Sequence, residues 1–71
     1  MFVHDIYLVD GCGCRELVAC GQPRMSKGLV ANRLYKERGG ERLKYLWLRL
    51  YGQNAPDPNL SIEFRNVRYE C

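Results

Sequence analysis

No stretch of this chain stays apolar for anything like the roughly 20 residues that a bilayer-spanning helix requires. Its opening, Met1-Phe2-Val3-His4-Asp5, has neither the basic region nor the long apolar segment of a secretory leader, so a cytoplasmic location is the expectation. Histidine is scarce too. His4 stands alone, which leaves any cysteine without the nearby base that a nucleophilic pair requires. The acids Asp5, Asp10, Glu16, Glu63 and Glu70 are too scattered to form a paired-carboxylate site. Glycines are present but punctuate turns, and their spacing matches neither phosphate-loop pattern. Four cysteines give only one close pair, Cys12-Gly13-Cys14, with Cys20 and Cys71 isolated, whereas structural zinc takes two pairs. The expectation is therefore no enzyme, no cofactor and no metal. A reducing cytosol also argues against a disulfide frame, so Cys20 reads as a small core residue and Cys12 and Cys14 as turn residues.

What the chain has is apolar and aromatic substance. With 46% hydrophobic residues, five Tyr, two Phe and one Trp in 71 residues, it can bury enough surface to offset its ordering entropy. A domain this small buries only about 60% of its unfolded surface, so a second copy or a partner would add useful stability. The net charge of +3 is unevenly spread: residues 24 to 49 hold eight Lys and Arg against Glu37 and Glu41, giving +6 there and −3 elsewhere. Such a segment serves either as a solvated helix face or as a surface for an acidic partner or nucleic acid.

Along the chain, residues 4 to 9 carry Ile6, Tyr7 and Val9 and read as a strand, with a tight turn at Asp10-Gly11-Cys12-Gly13 and a second strand over residues 15 to 20, ended by Gly21 and Pro23. A helix is expected inside residues 24 to 39, with Ser26 as a good N-cap and Gly39-Gly40 as its stop. Its core face would hold Val30, Ala31, Leu34 and Tyr35, and its outer, basic face Met25, Leu29, Arg33 and Lys36. Residues 41 to 51 alternate, with Leu46, Leu48 and Leu50 on one side and Leu43, Tyr45, Trp47, Arg49 and Tyr51 on the other, and are expected to be a strand. The Pro-bearing residues 52 to 59 would be a hairpin loop and the segment from Leu60 to Tyr69 the fourth strand. The expectation is a single α+β domain over residues 1–71 in ββαββ order: two hairpins in an antiparallel sheet with one helix packed on one face. Val30, Leu34, Leu46, Leu48, Leu50, Leu60, Ile62 and Phe64 would form its core.

One helix covers one face of such a sheet. The other would display Tyr45, Trp47, Arg49 and Tyr51 with Arg65, Val67 and Tyr69, or be half covered by a terminus or the Pro-rich loop as a second small core. Trp, Tyr and Arg are enriched at interface hot spots, so Tyr45, Trp47, Arg49, Tyr51, Arg65 and Tyr69 are the expected partner-binding residues, through a protein partner or a homodimer. The alternative is single-stranded nucleic acid, whose bases stack on aromatics beside Arg. No small-molecule substrate is expected. By its size and lack of signals the chain is expected to be a small non-enzymatic binding protein, of the type phages use to inhibit or modulate a bacterial host machine, anti-CRISPR proteins included, which would place it in the host cytoplasm.

Asp5-Ile6-Tyr7 in the first strand, Ala19-Cys20-Gly21-Gln22 at the close of the second, and Arg24 or Arg33 beyond resemble the start of the GIY-YIG nucleases. The resemblance spans less than half of the chain and implies two signature tripeptides on a hairpin before an arginine-bearing helix. Asp5 stands in place of that family's first glycine and Ala19 in place of a tyrosine, and no later helix is expected to supply its metal-binding glutamate.

Overall fold

The computed structural model describes residues 1–71 and shows an α+β chain in the order β1 (Phe2–Asp10), β2 (Arg15–Pro23), α1 (Lys27–Arg38), α2 (Glu41–Leu50), β3 (Leu60–Tyr69). It divides into two compact units: a sheet unit of Met1–Arg24 with Ser61–Cys71, and a helical unit of Met25–Leu60.

In the sheet unit the three antiparallel strands lie in the order β2-β1-β3, so β1 is central and the other two are edges. The β1–β2 hairpin closes where Asp10 N–H donates to Cys14 O at 3.1 Å and Gly13 N–H to Asp10 O at 3.0 Å. Val9 faces Arg15 and Tyr7 faces Leu17, but the register slips twice before His4 meets Gln22. Extra residues on β2 make these bulges, and Gly21 occupies one of them at φ +63°, a conformation that favours glycine. β2 thus continues past the expected stop at Gly21, and Pro23 is tolerated because it ends an edge strand. Val3, Ile6 and Ile62 are buried here, as is His4, whose ring packs 4.5 Å from that of Phe64.

In the helical unit α1 begins where expected. Ser26 has extended geometry and its Oγ accepts from Leu29 N–H at 3.2 Å, while at the other end Gly39 N–H donates to Tyr35 O at 2.7 Å. The expected core positions Val30, Ala31 and Leu34 are buried. Gly39 and Gly40, at φ +70° and +94°, turn the chain into a second helix.

That helix overturns the expected strand over residues 41 to 51, and with it the second hairpin and the ββαββ order, which is ββααβ. Glu41–Leu50 contains no β-branched residue and is rich in Leu, Arg, Lys and Glu, all good helix formers. Leu43, Leu46, Trp47 and Leu50 recur at i, i+3, i+4 and i+7, the spacing of one helix face. Of the expected leucine row only Leu46 is buried; Leu48 is half-buried and Leu50 exposed, because alternate residues of a helix diverge around its axis. Leu60 and Phe64 are also half-buried rather than core, and Cys20 is exposed. The segment after α2 is not a hairpin loop; it leads from α2 to β3. Arg42 clamps it with Nε donating to Pro58 O at 2.9 Å and Nη2 to Asn59 O at 3.1 Å, and Arg49 Nη1 donates to Ala55 O at 2.9 Å.

Leu46→Ala is expected to cost about 2–5 kcal/mol in urea unfolding, and Leu48→Ala clearly less. Equal losses at the two positions would restore the strand reading of this segment.

Candidate functional site

The four expected partner-binding residues on α2 do not share a face. At 100° per residue Tyr45 and Arg49 fall on one side of α2, with Trp47 and Tyr51 turned towards the opposite side. The Trp47 ring stacks on Tyr35 of α1 at 5.9 Å and 16°, and meets Tyr51 edge-on at 5.8 Å. Tyr51 in turn lies against the Cα of Gly28, where any Cβ would overlap its ring. These aromatics therefore join the two helices. The indole N–H of Trp47 is sealed from solvent without an acceptor, which removes the polar handle that makes Trp useful at an interface. Trp47 is packing, and its assignment to an open sheet face is corrected.

Arg65 and Tyr69 belong to β3 and lie in the other unit. Arg65 Nε is 3.4 Å from Glu63, which also accepts from Arg15 Nε at 2.8 Å, so Arg15 and Glu63 join the two edge strands across β1. Tyr69 meets Phe2 edge-on at 5.2 Å. There, where β1 begins and β3 ends, Met1 and Glu70 exchange two backbone hydrogen bonds, Met1 N to Glu70 O at 3.0 Å and Glu70 N–H to Met1 O at 2.8 Å. The result is an apolar corner. Met1, Phe2, Val67 and Tyr69 are 63%, 65%, 66% and 65% exposed, more than any other large apolar residue of the chain. The place of Tyr69 on the last strand was legible in the sequence; its contact with Phe2 was not, because only the β1–β3 pairing makes it.

Beside this corner Asp5 organises the sheet. Its Oδ1 accepts from Gly21 N–H of β2 at 3.0 Å and from Arg68 Nη1 of β3 at 3.2 Å, and its Oδ2 from Asn66 Nδ2 at 3.0 Å. The Asn66 amide, then Gly21 N–H, and then Arg68 favour the carboxylate against partial desolvation, holding Asp5 below the usual 3.8. Arg68 is held in its charged form by the same contact and bonds Glu70 as well.

The charges differ between the units. The helical unit has seven Lys and Arg against three acids, +4, and the sheet unit four against five, −1. The seven helical cations are all exposed, and Arg42 and Arg49 spend their hydrogen bonds on neutral carbonyls, so their charge persists. The expected basic face stands on α1 in part: Leu29 is half-buried, Arg33 and Lys36 are exposed on the same side, and Met25 precedes the helix.

No family model, curated protein or solved structure matches the chain. The layout implied by the GIY-YIG resemblance is present to the extent that Asp5-Ile6-Tyr7 lies on β1, Ala19-Cys20-Gly21 on β2 and Arg33 on α1. Asp5, however, is occupied by sheet contacts, and residues 1–71 hold no helix after β3.

Two outcomes test this assignment. Trp47→Ala is expected to destabilise the free protein by about 2–3 kcal/mol, somewhat less than for a fully buried ring. Asp5, with its folded value lowered, contributes stability that is complete above 3.8 and is lost as pH falls through the folded value. Urea midpoints measured from about pH 6 to about pH 2 should therefore fall more steeply for wild type than for Asp5→Asn.

Proposed function

We propose that the chain is a small non-enzymatic binding protein that acts by contact with another protein, and that the apolar corner of the sheet unit is its contact surface. The observation that carries this reading is the exposure, each about two-thirds, of Phe2 at the start of β1 and of Val67 and Tyr69 at the end of the neighbouring β3, with the Phe2 and Tyr69 rings in edge-on contact. Large apolar side chains grouped in solvent mark interaction sites, and Tyr is a frequent anchor in them. A bacterial host machine as partner, blocked by a phage-type inhibitor, belongs to this proposal.

A second reading has its own observation, the +4 charge of the helical unit. It would make α1 and α2 a surface for the phosphates of nucleic acid.

Partner capture with nuclease-treated extract, followed by affinity measurement, separates the two. On the first reading Tyr69→Ala or Phe2→Ala weakens binding about 30-fold, which is about 2 kcal/mol, while the emission of the single Trp stays unchanged. Arg33→Glu with Lys36→Glu leaves that binding intact. Loss of binding in the charge variant, with a steep decline between low and moderate salt, would establish the nucleic-acid reading instead.

A further inference from the structure

The β1–β2 turn holds two thiols that neither reading uses. Cys12 and Cys14 are exposed and free, one on each side of Gly13. Gly13 sits at φ +84°, the left-handed region that favours glycine and lets the chain reverse between the two cysteines. The backbone on both sides is pinned to one atom: Asp10 Oδ1 accepts from Cys12 N–H at 2.9 Å and from Cys14 N–H at 3.1 Å. Together with the two backbone bonds that close the hairpin, these contacts fix both cysteine backbones in one short, ordered turn.

The number of donors selects the ligand. No group of three or more His, Cys, Asp or Glu is placed to hold a metal ion, so the four ligands of structural zinc cannot be assembled here. Two thiolates suffice for a soft monovalent cation that favours low coordination, and thiolate donors select Cu(I) over harder ions. We propose that Cys12 and Cys14 form a two-coordinate thiolate site for a monovalent soft cation of the Cu(I) class. Binding converts two thiols and one Cu(I) into a bis-thiolate complex of net charge −1 with release of two protons, and no atom changes oxidation state. Asp10 is a positioning residue: it touches no metal and acts through the two cysteine amides.

The test uses the full chain, Cu(I) kept reduced by ascorbate under anaerobic conditions, and a bathocuproine-type chelator as competitor. The expected result is one Cu(I) retained per chain in wild type and in the Cys20→Ser/Cys71→Ser variant, and its loss in Cys12→Ser and in Cys14→Ser. Asp10→Ala should weaken retention about tenfold or more, and Asp10→Asn, which keeps an oxygen acceptor, should restore it. Trp47 emission and circular dichroism establish that each variant is folded. The site is overturned if the chelator strips wild type completely, or if a folded Cys12→Ser or Cys14→Ser chain retains copper as wild type does. It is equally overturned if native mass spectrometry of the Cys20→Ser/Cys71→Ser variant finds two chains sharing one copper.

Discussion

A three-stranded sheet has one strand satisfied on both sides, and its register depends on whatever holds both outer strands to that one. Asp5 lies in β1 and its carboxylate reaches both neighbours: Gly21 of β2 on one side, Asn66 and Arg68 of β3 on the other. Both neighbours depart from regular strand geometry where they meet it, Gly21 at φ +63° and Asn66 at φ +57°. Bulges leave ladder groups unpaired and bend the strand. At Gly21 the carboxylate accepts the backbone N–H of the bulge, and at Asn66 it holds the side-chain amide; bonds to a charged acceptor are stronger than neutral ones. The Arg15–Glu63 pair makes a second link between the edge strands, but exposed as it is, it contributes little.

How much of this was legible divides sharply between the two ends of the chain. The β1–β2 hairpin and α1 followed from local chemistry: β-branched and aromatic residues around Asp10-Gly11-Cys12-Gly13, then a Ser26 cap and a double-glycine stop. Residues 41 to 51 carried two periodicities at once. Leu46, Leu48 and Leu50 alternate, while Leu43, Leu46, Trp47 and Leu50 follow the helical spacing, and over so short a segment either pattern can be drawn. Propensity should have decided it, because Glu41–Leu50 lacks Val, Ile and Thr altogether.

That one substitution of helix for strand relocates the aromatic residues. In a strand, Tyr45, Trp47, Arg49 and Tyr51 share a face; in α2 they separate, and Trp47 becomes the middle of a stack from Tyr35 to Tyr51. Gly28 completes the arrangement, since its missing side chain admits the Tyr51 ring. Sequence reading gave Gly28 only a turn role, yet it lies inside α1, where glycine is disfavoured by about 1 kcal/mol unless close packing requires it. A mid-helix glycine was thus the signal that another element approaches α1.

The candidate contact surface was less accessible to sequence for a different reason. Phe2 and Tyr69 meet only because β3 returns to the far side of β1 and not beside β2, a pairing that no local pattern specifies. The two edges that result are unequal. β2 carries two register slips and ends in Pro23, devices that blunt an edge against further pairing. β3 has Asn66 and alternating charges to limit association along its length, yet beyond Asn66 it presents Val67 and Tyr69 to solvent. An edge guarded over most of its length and apolar at one end favours a limited, side-chain-specified contact over continuous strand stacking. On the proposed reading, the contact therefore falls on the corner at Phe2 and Tyr69 and not on the edge as a whole.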